Sequence, residues 1–109
     1  MTTTAKRMIS GSQLTGSATT YYTAPTLTKA VIKSAQLTNT TAAPISATLY
    51  LVPLSGTAGV TNTFISAQPI AVGETYNCPE IINSVIEAGG FVQALGNGLT
   101  LTMSGIEIV

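Results

Sequence analysis

The sequence predicts a mainly β protein, an antiparallel β-sandwich with one short helix near residues 79–88. Three observations carry that prediction. Apolar residues recur with a period of two along much of the chain, as in half-buried strands. Gly, Asn and Pro punctuate these runs at short intervals. One segment alone has helical spacing with stop signals at both ends. A chain of 109 residues buries roughly 60–70% of its unfolded surface around one core. Residues 19–109 are therefore assigned to a single β-sandwich domain, and residues 1–18 to a flexible N-terminal arm.

The arm is rich in Thr, Ser and Gly, with Met8, Ile9 and Leu14 as its only anchors. Such a segment reads as a frayed terminus, or as an arm that adds a strand to a neighbouring subunit's sheet. Strands follow at 19–23 (TTYYT), whose residues are aromatic and β-branched, and at 29–38 (KAVIKSAQLT). In ISATLYLVP (45–53), Ile45, Ala47, Leu49 and Leu51 share one face and Ser46, Thr48, Tyr50 and Val52 the other; Pro53 ends the strand because it lacks a donor. Further strands are expected at 63–68 (TFISAQ) and 91–95 (FVQAL). In LTLTMSGIEIV, Leu99, Leu101 and Met103 alternate with Thr100, Thr102 and Ser104, after which Ile106 and Ile108 become the apolar positions around Glu107. That change of phase predicts a bulge at Ser104-Gly105, or a strand passing from one sheet to the other. Turns are expected at 39–44 (NTTAAP), 55–59 (SGTAG), Val72-Gly73 and 96–98 (GNG), the last as a hairpin.

The helix is expected within ETYNCPEIINSVIEAGG (74–90), with Ile81, Ile82, Val85 and Ile86 on its buried face. Asn77 and Glu80 have capping-box spacing, Pro79 suits a first turn, and Gly89-Gly90 suits a C-terminal stop. The same stretch holds Glu74, Glu80 and Glu87 of the four acidic residues, and the one cysteine, Cys78. A nucleophilic Cys needs a base and an orienting group, and the chain has no His and no Asp. Glu80 and Glu87 would stand about 10 Å apart on a helix, too far to share one small cation. A Ser-His-Asp triad is impossible, a Ser-Lys pair would draw on Lys6, Lys29 or Lys33, and no GxSxG, GxxxxGKS or GxGxxG pattern occurs. Catalytic, cofactor-binding and metal-ligating residues are thus predicted as none, and the chain as non-enzymatic. Tyr21, Tyr22, Tyr50 and Tyr76 offer the one alternative site, a platform stacking a glycan; packing is the other use for them.

Composition sets the class of partner. Only 7% of residues are charged while 45% are hydrophobic, and the formal net charge is +0, against about 25% charged in an ordinary soluble domain. A surface so poor in charge predicts a subunit covered by its neighbours. Four basic residues make no nucleic-acid footprint. No apolar run approaches the roughly 20 residues that span a bilayer, and no secretory h-region is seen, so an intracellular product without membrane or nucleic-acid partners is expected.

YYTAP (21–25), LTNTTAAPISATLYLVP (37–53), PEIINSVIEAGGFVQAL (79–95) and TMSGIEI (102–108) resemble small virion structural proteins of tailed bacteriophages. The resemblance spans most of the chain from residue 21 onward, in strand and turn patterns rather than reactive groups. It implies a small β-sandwich or jelly-roll-like subunit, made in the host cytoplasm and present in many copies on the virion. Its implied role is capsid cement or decoration bound to the major capsid protein or other virion proteins, as a homo-oligomer (dimer or trimer). A head–tail or tail-fibre adaptor and a glycan-binding module are the alternatives.

Overall fold

The computed structural model describes residues 2–109, and these form two antiparallel sheets packed face to face. The strands are β1 (Thr3–Gln13), β2 (Thr19–Thr23), β3 (Lys29–Asn39), β4 (Ile45–Val52), β5 (Thr63–Ile70), β6 (Thr75–Tyr76), β7 (Val85–Ile86), β8 (Phe91–Leu95) and β9 (Leu99–Ile108). One sheet has the order β1-β9-β3-β6, with β7 on the same edge of β3, and the other the order β2-β8-β4-β5. Successive strands mostly change sheet, and β6 and β7 together fill one strand position. With four positions in each layer, this is the order of a jelly roll. Inward alternation builds the core from Ile32, Leu37, Leu99, Leu101 and Met103 of the first sheet against Leu49, Ile65 and Val92 of the second. Each such side chain contributes roughly 1.5–3 kcal/mol by leaving water.

The segment expected to be a flexible arm contains β1, which pairs along β9 of its own chain from Thr3↔Ile108 to Gln13↔Thr100. Met8 and Ile9 are both buried although adjacent, because the register jumps between Lys6 and Ile9. A bulge spoils period-two alternation, so this strand has no alternating signature to read.

The expected helix at 79–88 is only a single 3-10 turn, Pro79–Ile81, followed by the β7 pair of residues. Isolated turns of helix are costly to nucleate, whereas the open edge of β3 offers paired backbone bonds. The chain takes them twice, at Leu37↔Tyr76 and again at Val31↔Val85. Between these, Asn83 N–H donates to Ile32 O (2.7 Å) and Ile32 N–H to Ser84 O (3.0 Å). The expected apolar helix face dissolves accordingly: Ile81 and Ile86 are buried, Ile82 is half-buried and Val85 is exposed. Gly89 and Gly90 end no helix; they bond to Ala24 on the β2 side.

Two further expectations change. Gly96-Asn97-Gly98 is not a hairpin, since it carries the chain from β8 in one sheet to β9 in the other. Positive φ at Gly96 (+151°) and Gly98 (+95°) still makes the turn, closed by Leu99 N–H to Gly96 O at 3.0 Å. In β9 the phase does not flip. Leu99, Leu101, Met103 and Gly105 are buried in strict alternation, and the extra residues lie on the neighbours, between Lys6 and Ile9 of β1 and between Ile32 and Ser34 of β3. Glu107 therefore turns inward, and Ile106 and Ile108 face outward.

Candidate interaction surfaces

Every carboxylate from the 74–90 stretch has a local partner. Glu74 Oε1 accepts from Ala71 N–H at 2.7 Å, Glu80 Oε2 accepts from Tyr76 O–H at 2.5 Å, and Glu87 pairs with Lys29 at 3.7 Å. Asn77 does not cap; its Oδ1 accepts from Gln36 Nε2 at 3.4 Å. Among the described residues no three His, Cys, Asp or Glu side chains gather as a metal site. Cys78 is fully buried in the apolar core, and its thiol donates to Tyr76 O at 3.6 Å. Burial, and secondarily the Glu80 charge, push the thiol up to about 12, so at neutral pH it is protonated and inert.

Two outcomes follow from that thiol. Native protein at pH 8 is expected to react with Ellman's reagent only after unfolding; prompt labelling would contradict the burial. Because the folded pKa lies above the ordinary value of 9.0, the native state holds its proton where the unfolded chain loses it. This contribution to stability is fully present below about pH 9 and is lost as pH rises toward 12. The Cys78→Ser variant is expected to show a shallower alkaline fall in urea midpoint than the parent.

The tyrosines do not form one platform. Tyr50 lies on β4 opposite Gln93, Tyr76 is in the other sheet, and Tyr22 is buried between the sheets. Tyr21, at a bulge in β2, packs against the core with its hydroxyl buried and without a hydrogen-bond partner. Tyr22 instead completes a cluster that residue patterns gave no means of finding. Its hydroxyl donates to Glu107 Oε2 at 2.5 Å, and Lys6 Nζ lies 3.5 Å from the same oxygen. Burial, with the Glu107 hydrogen bond, holds the Tyr22 phenol above its ordinary range. The cluster ties β2 of one sheet to β1 and β9 of the other. Lys33, the third lysine on which a Ser-Lys pair could draw, donates to Asn83 Oδ1 at 3.0 Å.

The sheet edges are guarded against pairing with another chain. β1 carries Lys6, Arg7 and two register shifts, β2 is five residues long with a bulge, and β5 holds Pro69 beside Ala67 at φ +47°. The fourth edge is the interrupted β6–β7 strand. Uncovered apolar surface gathers at one end of the molecule. The registers place loops 24–28, 53–62 and 87–90 at one end of the sandwich. At that end stand Leu27, Leu54, Val60, Phe64, Val85 and Val109, all exposed, whereas Val72 is the one large exposed apolar residue described at the other. A pocket of about 160 Å³ opens there between β5 and β7, walled by Leu51, Pro53, Phe64 and Val85.

No protein-family model and no curated protein matches the chain. Among solved structures, a chain from a structure of infectious bursal disease virus, Gx strain, aligns with a TM-score of 0.47 at 16% identity. The alignment covers 97% of this chain and 30% of that one. A likeness so loose carries no inference about partners or activity.

Proposed function

We propose that the protein is a non-enzymatic structural subunit of a tailed-phage particle, acting as capsid cement that stabilises neighbouring capsid subunits. The observation that carries the reading is the pairing of a charge-poor jelly roll with an uncovered apolar end, while its Glu, Lys and Cys side chains are taken up by local contacts. Such a subunit binds by shape and apolar contact, which salt screens little. Repetition over a lattice turns weak single contacts into firm attachment. Its partners on this reading are the major capsid protein or other virion proteins, with copies associating as a dimer or trimer.

Quantifying the chain in purified particles tests the proposal. Copies in proportion to the capsid subunits are expected. Copies confined to a single vertex would assign the chain to a head–tail or tail-fibre adaptor instead, and absence from particles would refute both.

A further inference from the structure

We propose that the apolar end is a twofold contact between two copies of this chain, with Leu27 of each copy filling the pocket beside Val85 of the other. The proposal rests on the reading above that copies associate, and it assigns the face. Leu27 breaks two local rules at once. The residue is 83% exposed, and its backbone sits at φ +61° in a turn closed by Thr28 N–H to Pro25 O at 3.1 Å. Gly or Asn would adopt that conformation at lower cost, and a bulky residue there is an outlier. A strained backbone that presents an aliphatic side chain to solvent points to an external contact.

The matching cavity lies at the same end. At about 160 Å³ the pocket is close in volume to a cavity of about 150 Å³ that accepts one benzene-sized group, and so it suits a single leucine side chain. Charge at this end does not oppose association: Lys29 and Glu87 pair at 3.7 Å within one copy, so together they present no net charge to a second. An anionic membrane would call for a cluster of unpaired basic residues, which one lysine beside a glutamate does not supply.

Size sets the expected strength. The molecule measures 45 × 26 × 19 Å, and only its longest axis accommodates strands of 11 residues, about 36 Å long. The end is therefore about 26 × 19 Å between Cα positions, below the roughly 800 Å² per partner of a standard interface until side chains are added. The dimer is expected to dissociate on dilution.

Sedimentation velocity from about 1 μM to about 100 μM, a span that brackets weak affinities, tests this on the purified chain. The expected result is a rise in mass from 11.1 kDa toward twice that value. Leu27→Asn and, on the pocket side, Val85→Lys should each remain monomeric throughout. Val72→Asn, at the opposite end, should dimerise like the parent. Measured at a dilution where all are monomeric, the thermal midpoint of Leu27→Asn should be no lower than the parent's, because Asn tolerates positive φ. A parent that stays monomeric overturns the proposal and the dimer reading together. A dimer that survives both variants overturns the assigned face and leaves association intact. A monomeric parent that co-sediments with phosphatidylcholine vesicles overturns it in favour of a membrane contact. Copy number on particles is a separate measurement, so the structural-subunit reading fails or stands independently.

Discussion

Gly105→Ala is expected to destabilise the protein by about 3 kcal/mol, at the upper end of what overpacking a core costs. Gly105 faces inward on β9 between two bulged neighbours, β1 and β3. Both bulges press backbone and side chain onto it. An added methyl would fall on the Val31 carbonyl oxygen and within 2.7 Å of Met8 Cε. The methionine can move aside, but the carbonyl belongs to the central strand β3, so relief would require β3 and β9 to part. For a domain of this size that loss corresponds to a thermal midpoint about 12–24 °C lower. Gly16→Ala is the control, since nothing lies within 4 Å of a methyl there and its φ is unremarkable. Urea melts of the two variants decide the matter: equal midpoints would mean that the close approach at Gly105 has been misassigned.

Asn39→Ala is expected to cost about 3–5 kcal/mol. The side chain is fully buried at the end of β3, and its amide makes four hydrogen bonds. Nδ2 donates to Ala43 O and Ile70 O, both at 2.9 Å, and Oδ1 accepts from Thr41 N–H at 2.9 Å and Thr41 O–H at 2.6 Å. One side chain thus joins the β3–β4 loop to the end of β5 across the two sheets. Truncation removes these bonds and strips the buried Ile70 carbonyl of its side-chain donor, at roughly 1–3 kcal/mol, while Ala43 O keeps the Thr41 hydroxyl at 2.8 Å. Asn39→Asp, nearly the same shape, tests the chemistry apart from the packing. As a carboxylate it presents acceptors to two carbonyls and should be as damaging as Ala at pH 7. Acid should narrow its deficit relative to the parent, because protonation restores one donor. An Asp variant with parental stability at pH 7 would show that the donors are not what the site requires.

These two residues also show what local patterns reveal. NTTAAP reads as a turn, and it is one, but nothing in its composition says that Asn39 points inward to serve another strand 31 residues away. The SGIEI segment displays its glycine openly, yet apolar Ile106 and Ile108 around a charged Glu107 argue for the wrong inward set. Glu107 turns in because Tyr22 and Lys6 meet it there, from strands far away in the chain.

The β-sandwich class, the positions of β2, β3, β4, β5, β8 and β9, and the lack of His or Asp for catalysis are all legible in the amino-acid pattern. Period-two burial is a local consequence of alternating Cβ directions, so it survives without knowledge of neighbours. Tertiary structure alone fixed that residues 3–13 join β9, that 75–86 follows the β3 edge as two short strands separated by one 3-10 turn, and that Asn39 and Glu107 face inward. It alone gathered Leu27, Leu54, Val60, Phe64, Val85 and Val109 at one end. The physical reason is common to all four. Bulges, edge pairing, buried polar bonds and the meeting of loops depend on which strands become neighbours, and in a fold whose chain repeatedly crosses between sheets those neighbours lie far apart in sequence.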